Sequence, residues 1–356
     1  MNTVCFDFGS GVCSNSQEIA TMSRAQLSAQ SLGTYYAKDL LAKTQGKDPV
    51  NCILALYDSK EGRSNYIGEA ISQREHGAQA ARAALEDGAD EDTIIAALLH
   101  DVGHLITQAP QMQGNLGTRD HEGLGAWFLR TLGFPEKTCA LVERHVEAKR
   151  YLTWKMPEYY ARLSDASKGT LAQQGGPMTT SEGEAFEKDP LYKTIIAMRT
   201  YDERAKVVDM PDLKPIEAYA EMMRRCLRRK AIRDMYDRDG YVLLKDALSP
   251  EAKKLFVQWA DEIQAWDASV KGKWMIYYEN VNGQETLCRT ENILPYHDGM
   301  RRLLCEDEVK RIVDELLGEE SALFKEKINY KLPGGGGFPP HREFSNHCGP
   351  KLDPLN

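Results

Sequence analysis

Asp90-Glu91-Asp92-Thr93-Ile94-Ile95-Ala96-Ala97-Leu98-Leu99-His100-Asp101-Val102-Gly103-His104-Leu105 opens on three acids, continues as seven uncharged residues and reaches a His-Asp pair, with a further histidine at 104. Acidic residues suit a helix N-terminus, and the apolar run predicts a buried helix over Thr93–Leu105. An aspartate carried inward on such a helix needs a compensating partner, because an unpaired buried charge is very costly. A divalent cation is one such partner.

The reading extends outward as helix. Asp120 is placed to cap a helix running to Leu132, with Gly133 as its stop. Pro135 suits the first position of the next helix, to about Arg150. Asp189-Pro190 opens a further one, Leu191–Lys206. No strand-like alternation interrupts residues 65–205, so the fold class is mainly α. Five of the eight histidines (76, 100, 104, 121 and 145) fall in this block, and none occurs between His145 and His297. The ordered set is His76, His100-Asp101, His121, His145 and Asp202. Imidazole and carboxylate suit iron, manganese or zinc. Six ligands exceed the needs of one ion, and a bridging carboxylate such as Asp101 can hold two. Helical spacing places His100 with His104, His145 with Lys149 and Arg199 with Asp202 on shared faces.

The chain has 356 residues, which suggests about two domains. Apolar residues make up 42% and charged residues 28%, as in ordinary globular proteins. A net charge of −8 argues against general nucleic-acid binding. No run approaches the length of a membrane-spanning helix, and residues 1–24 lack the pattern of a secretory signal. The eight cysteines include no Cys-x-x-Cys pair and are expected to be free thiols in the cytoplasm.

Beyond the helical block, Met222–Arg238 predicts a basic helix whose arginines (224, 225, 228, 229) read as a solvated face rather than a polyanion site. The character then changes. Tyr241–Leu244 predicts a short strand, and Ser249-Pro250-Glu251 opens a helix with the apolar stripe Leu255, Phe256, Trp259, Ile263 and Trp266. Strands are expected at Trp274–Glu279 and Ala322–Leu332, giving an α+β region. The expected division is an N-terminal extension (1–52), a helical metal domain (53–220), a basic helical linker (221–238) and a second domain (239–356).

The order His…His-Asp…Asp, with two further histidines between, resembles the HD-domain superfamily in its dinuclear form, an all-α bundle. Tyr66-Ile67-Gly68-Glu69 before His76, Leu163–Thr170, Gln174–Met178 and Arg199 three residues before Asp202 are similar to the superfamily's phosphonate-cleaving di-iron oxygenases. The resemblance implies that His76, His100, Asp101 and Asp202 hold one iron and that Asp101, His121 and His145 hold the other, as an Fe(II)/Fe(III) pair. It implies that Tyr66 and Glu69 cover the metals until substrate displaces them, with His104 touching the substrate or this pair. It assigns Lys149, Ser167, Thr170 and Arg199 to the phosphonate, for which cations and hydroxyl donors are the strong partners. The implied reaction consumes O2 and a 1-hydroxyphosphonate such as (R)-2-amino-1-hydroxyethylphosphonate, releasing phosphate and glycine.

Residues from about Ala231 resemble the phytanoyl-CoA dioxygenase family of iron(II)/2-oxoglutarate oxygenases, on Asp239–Leu244, the helix after Ser249 and Ile328–His341. The sequence departs at the metal motif, with Glu343 where that family has Asp, and only residues 344–356 follow. A partial double-stranded β-helix with a vestigial site at His341 and Glu343 is expected, without 2-oxoglutarate as cofactor and without oxygenase activity of its own. Two other readings stand beside the oxygenase: an HD-type phosphohydrolase acting on a nucleotide or phosphoester, and a catalytically silent metal-binding protein. No nucleic-acid or membrane partner is expected.

Overall fold

The structure is a computed structural model that describes residues 46–66, 69–106, 112–114, 117–245, 247–317, 320–330 and 333–335. The chain divides into two compact units, one up to Asp234 and one from Met235. The N-terminal extension up to residue 45, and His341 and Glu343, lie outside the described residues.

The first unit is a helical bundle. Its first helices are α1 (Pro49–Asp58), α2 (Gln73–Glu86), α3 (Glu91–Leu99), α4 (His121–Thr131) and α5 (Glu136–Lys155). Then come α6 (Pro157–Arg162), α7 (Asp165–Gln173), α8 (Thr180–Phe186), α9 (Tyr192–Arg204) and α10 (Ala220–Asp239), of which the part up to Asp234 belongs to this unit. The Asp90 carboxylate accepts the Thr93 amide hydrogen at 3.1 Å and starts α3. Every residue from Thr93 to Leu99 is buried, and each large aliphatic side chain among them contributes about 1.5–3 kcal/mol. Ser72 and Glu75 form a reciprocal capping box at the start of α2, whose Ala80, Ala81 and Ala84 are fully buried. Gly77 lets α2 approach α3 closely, because a Cβ there would come 2.5 Å from the Leu98 carbonyl oxygen.

Three expectations about helix ends are corrected. The apolar helix ends at Leu99 rather than Leu105: His100 is its C-cap, Asp101 departs from helical geometry (φ −102°, ψ 12°), and a 3-10 turn spans Val102–Leu105. His100 and His104 therefore do not share a helix face. Asp120 precedes α4 in the left-handed region (φ 57°) and its side chain makes no capping bond. Helix α9 ends at Arg204, leaving Ala205 and Lys206 beyond it. Gly133, at φ 87°, does follow α4 as its stop. Two arginines of this stretch, on α10, are paired with acids: Arg225 meets Glu91 at 2.5 Å, and Arg229 meets Glu91 and Asp92. They tie α10 to the N-terminus of α3.

The second unit contains α11 (Pro250–Gln264), β1 (Met275–Val281), β2 (Gln284–Glu291), α12 (Asp298–Cys305), α13 (Glu308–Leu317) and β3 (Lys327–Asn329). The Ser249 hydroxyl accepts from the Ala252 amide and caps α11. Strands β1 and β2 are joined by Asn282-Gly283, both at positive φ, the pair that a tight hairpin favours. β3 adds antiparallel to β2, giving an α+β unit around a small core of Ile263, Ile293, Leu294 and Met300. The α11 stripe is only partly buried, since Leu255 and Phe256 stay exposed. No strand forms at Tyr241–Leu244. Among the described residues no helix is long and apolar enough to cross a membrane, and Cys52, Cys139, Cys226, Cys288 and Cys305 are unpaired.

Candidate metal centre

Five helices deliver the six histidines and aspartates of the ordered set to one place in the first unit. Helix α2 carries His76, the end of α3 carries His100 with Asp101 one residue on, and α4 starts at His121. Helix α5 carries His145 and α9 carries Asp202. Gly103 makes the close fit possible, because a Cβ there would collide with the His121 carbonyl oxygen. All six residues are buried.

Asp101 sits between two histidine pairs. Its Oδ2 lies 3.6 Å from His76 Nε2 and 3.4 Å from His100 Nε2. Its Oδ1 lies 3.3 Å from His121 Nε2 and 3.7 Å from His145 Nε2. Within the pairs, the Nε2 atoms of His76 and His100 are 3.1 Å apart, and those of His121 and His145 are 3.3 Å apart. Asp202 Oδ1 joins the first pair, 3.4 Å from His76 Nε2.

Hydrogen bonding behind the rings fixes which nitrogen faces inward. His76 Nδ1 donates to the Ala205 carbonyl at 2.7 Å, His100 Nδ1 to Ala97 at 2.8 Å and His145 Nδ1 to Val142 at 2.7 Å. A carbonyl only accepts, so Nδ1 carries hydrogen and each ring, when neutral, turns a bare Nε2 inward. Two bare nitrogens about 3 Å apart cannot bond to one another; something positive, a proton or a metal ion, must lie between them. Asp202 Oδ1 is likewise buried without a hydrogen-bond partner. Two divalent cations would satisfy these atoms: one held by His76, His100, Asp202 and Asp101 Oδ2, the other by Asp101 Oδ1, His121 and His145. The donor set fits a metal of the nitrogen- and oxygen-binding kind.

His104 also lies within ligand distance of Asp101 and His121. Its Nδ1, however, accepts the Thr118 amide hydrogen at 3.0 Å, so its neutral ring carries hydrogen on Nε2 and is a donor rather than a ligand. Burial, then the neighbouring His121, hold its pKa well below the usual value and keep it neutral. It stacks on His121 at 4.0 Å, as Tyr66 stacks on His76 at 3.8 Å.

The electrostatics keep both carboxylates of the cluster ionised. Burial pushes the Asp101 carboxyl upward, but His100 and His121 outweigh it and hold it well below the carboxylate range. Asp202 is held low in the same way, by Arg199, His76 and Lys206 against burial. Burial and then His100 and His121 depress His145 to about 3, whereas in the metal-free centre Asp101 overcomes burial to raise His100 to about 9, so a proton on His100 Nε2 stands where a cation would displace it.

One pocket opens onto the centre and is lined by Tyr66, Glu69, Asp101, His104, Lys149, Ser167, Thr170, Arg199 and Asp202, so every remaining candidate residue of this unit faces it. Lys149 and Arg199 are buried, not surface cations. Lys149 Nζ donates to Thr170 Oγ1 at 2.7 Å, and burial followed by Arg199 lowers its pKa to about 8. The α7 cap is Ser164, whose Oγ accepts the Ser167 amide hydrogen at 3.2 Å, so the Ser167 and Thr170 hydroxyls are not the cap. Arg199 donates from Nε to the Tyr159 hydroxyl at 2.8 Å and pairs with Asp202 and Glu203.

Three contributors were missed from sequence. Glu122 Oε2 lies 3.1 Å from His121 Nδ1, and Tyr159 holds Arg199. Lys206 lines the pocket beside Glu69. Of these only Glu122, adjoining a candidate ligand, carried a usable signal.

Residues 74–266 match the HD domain family, and residues 236–351 match the family described as Phytanoyl-CoA dioxygenase (PhyH). The chain is 39% identical to [1-hydroxy-2-(trimethylamino)ethyl]phosphonate dioxygenase (glycine-betaine-forming) of Leisingera caerulea over 175 residues, 49% of this chain and 88% of that protein. It is 35% identical to hydroxymethylphosphonate dioxygenase of Gimesia maris over 185 residues, 51% of this chain and 90% of that protein. It is 41% identical to 2-aminoethylphosphonate dioxygenase of Uncultured bacterium HF130_AEPn_1 over 107 residues, 30% of this chain and 40% of that protein.

Proposed function

Since the chain belongs to the HD-domain family, we propose that it is a metal-dependent oxygenase that cleaves the carbon–phosphorus bond of a 1-hydroxyphosphonate. The relatives named as phosphonate dioxygenases support an oxygenase of this kind. The observation that carries the reading is Asp101, with one oxygen facing each histidine pair, beside a pocket that also holds Lys149, Thr170 and Arg199. The representative substrate is (R)-2-amino-1-hydroxyethylphosphonate, with phosphate and glycine as products. Atoms balance when one O2 is consumed per substrate, both oxygen atoms are kept in the two products and one proton is released. The catalytic domain is residues 53–220, followed by the linker 221–238; the second domain, 239–356, takes no part in this step.

Two irons, held by His76, His100, Asp101 and Asp202 and by Asp101, His121 and His145, would supply the Lewis acidity and redox capacity for O2 to attack a C–H bond. The chain's own residues do the rest. Lys149 and Arg199 neutralise the phosphonate dianion, and charge-assisted bonds to it are the strong ones. Ser167 adds a hydroxyl donor from the first turn of α7. The Thr170 hydroxyl, 3.1 Å from the Ser167 carbonyl, orients the Lys149 ammonium. Tyr159, Asp202 and Glu203 fix the Arg199 guanidinium where it lines the pocket. His104, neutral, offers Nε2–H to a substrate oxygen. Tyr66, whose phenol is held well above its ordinary pKa by burial and then by Asp202 and Asp101, stays protonated over His76 until substrate enters.

A phosphohydrolase would use the same ligands without consuming oxygen. Oxygen uptake and phosphate release measured together on iron-loaded protein should run one to one. Phosphate release without oxygen uptake would exclude the oxygenase.

A further inference from the structure

The three cations that line the pocket differ in what they are committed to. Lys149 is bonded to Thr170, and Arg199 is held by Tyr159, Asp202 and Glu203. These two lie close enough for Arg199 to perturb Lys149. Lys206 stands elsewhere. It follows Ala205, whose carbonyl receives the His76 Nδ1 hydrogen, so the chain carries it to the His76–Asp202 side of the centre. There its Nζ lies 4.0 Å from Glu69 Oε1, the loose limit of an ion pair, and 5.7 Å from the centre of the Tyr66 ring.

We propose that Lys206 is a specificity-determining residue that reads the substituent carried by the substrate on the carbon away from phosphorus. The inference rests on the function proposed above. A substrate whose phosphonate is taken by Lys149 and Arg199, and whose reacting carbon lies at the metal centre, directs its remaining substituent to the Tyr66–Glu69–Lys206 side. Glu69 alone would make that end anionic and favour an ammonium group. Lys206 offsets this charge, and its side chain is only 22% exposed, so water screens it incompletely. The end thus receives neutral substituents on closer terms with cationic ones.

The test compares (R)-2-amino-1-hydroxyethylphosphonate with hydroxymethylphosphonate, by kcat/KM and by calorimetric binding to the anaerobic, iron-loaded protein. Lys206→Met removes the charge and keeps the stem. It should raise the amino-over-hydroxymethyl ratio roughly five- to tenfold in both readouts. Lys206→Arg should restore the wild-type ratio, whereas a merely structural role would depress both substrates together and leave the ratio alone. A ratio within twofold of wild type in Lys206→Met, or one that falls, would overturn the inference. If the wild type releases phosphate from neither compound, the proposed function fails, and the binding ratio still decides for Lys206. Binding of neither compound would overturn both.

Discussion

Asp101 is the residue at which the two histidine pairs meet, each carboxylate oxygen lying 3.3–3.7 Å from the Nε2 atoms of one pair. Removing it leaves four imidazoles with no shared anion. Asp101→Ala is expected to lower the metal content from two ions per chain to one or none, read by elemental analysis, and to abolish turnover. Retention of two ions would show that the carboxylate does not bridge. Lys149 carries the second residue-level prediction. Burial, then Arg199, brings its pKa down to about 8, so the ammonium that phosphonate binding needs is present below that pH and lost above it. In the free enzyme kcat/KM should therefore fall as pH rises through about 8. Lys149→Arg should remove this alkaline limb, since a guanidinium does not titrate there. The histidines and aspartates were legible because few residue types bind metals and their crowding into one helical block is unusual. Tyr159 and Lys206 were not legible: a tyrosine or lysine on a helical segment has no chemical signature until the fold shows what it faces.

Among the elements, the segment from Leu99 to Leu105 decides the site. Sequence predicts that α3 continues to Leu105, because Leu98, Val102 and Leu105 keep the i, i+4, i+7 spacing of an apolar helix face. The chain instead leaves the helix at Asp101 and tightens into a 3-10 turn, which turns the carboxylate between the two histidine pairs. Gly103 weakens the helix locally, and packing on α4 decides that the chain leaves it. Gly103 is the point of closest approach, packed on the His121 backbone. Gly103→Ala forces α4 away from the turn and should destabilise the first unit by about 1–3 kcal/mol, in the range of overpacked cores. A thermal melt would read this as a lower Tm, and the same variant should bind less metal because His121 moves. An unchanged Tm with full metal content would mean that the turn and α4 are not held together as described. Caps were the more readable feature: Asp90, Ser249 and Gly133 act as their residue types predict, whereas Asp120 adopts a left-handed backbone and caps nothing.

At the scale of the whole molecule the chain comprises two compact units of different quality. The first has a large core spread over its helices. The second has four buried apolar residues at its core and exposes Leu243, Val257 and Phe324. Its mixed α+β character was visible in the changed composition after Gly240, but strand lengths were not, because β3 depends on pairing with β2 rather than on its own sequence. Calorimetry should show two transitions. Chelation should lower only the one belonging to the first unit, because a ligand bound to the native state alone stabilises the unit that holds it. Equal shifts of both transitions would contradict the placement of the metal centre within the first unit.

The central claim, that this metal centre uses oxygen to cleave a carbon–phosphorus bond, is tested most directly by one assay. Iron-loaded protein is given (R)-2-amino-1-hydroxyethylphosphonate with and without O2, and phosphate and glycine are measured. The account predicts both products in equal amounts with O2 and neither without it. Phosphate release under nitrogen, or turnover of a phosphoester but not of the phosphonate, would contradict it.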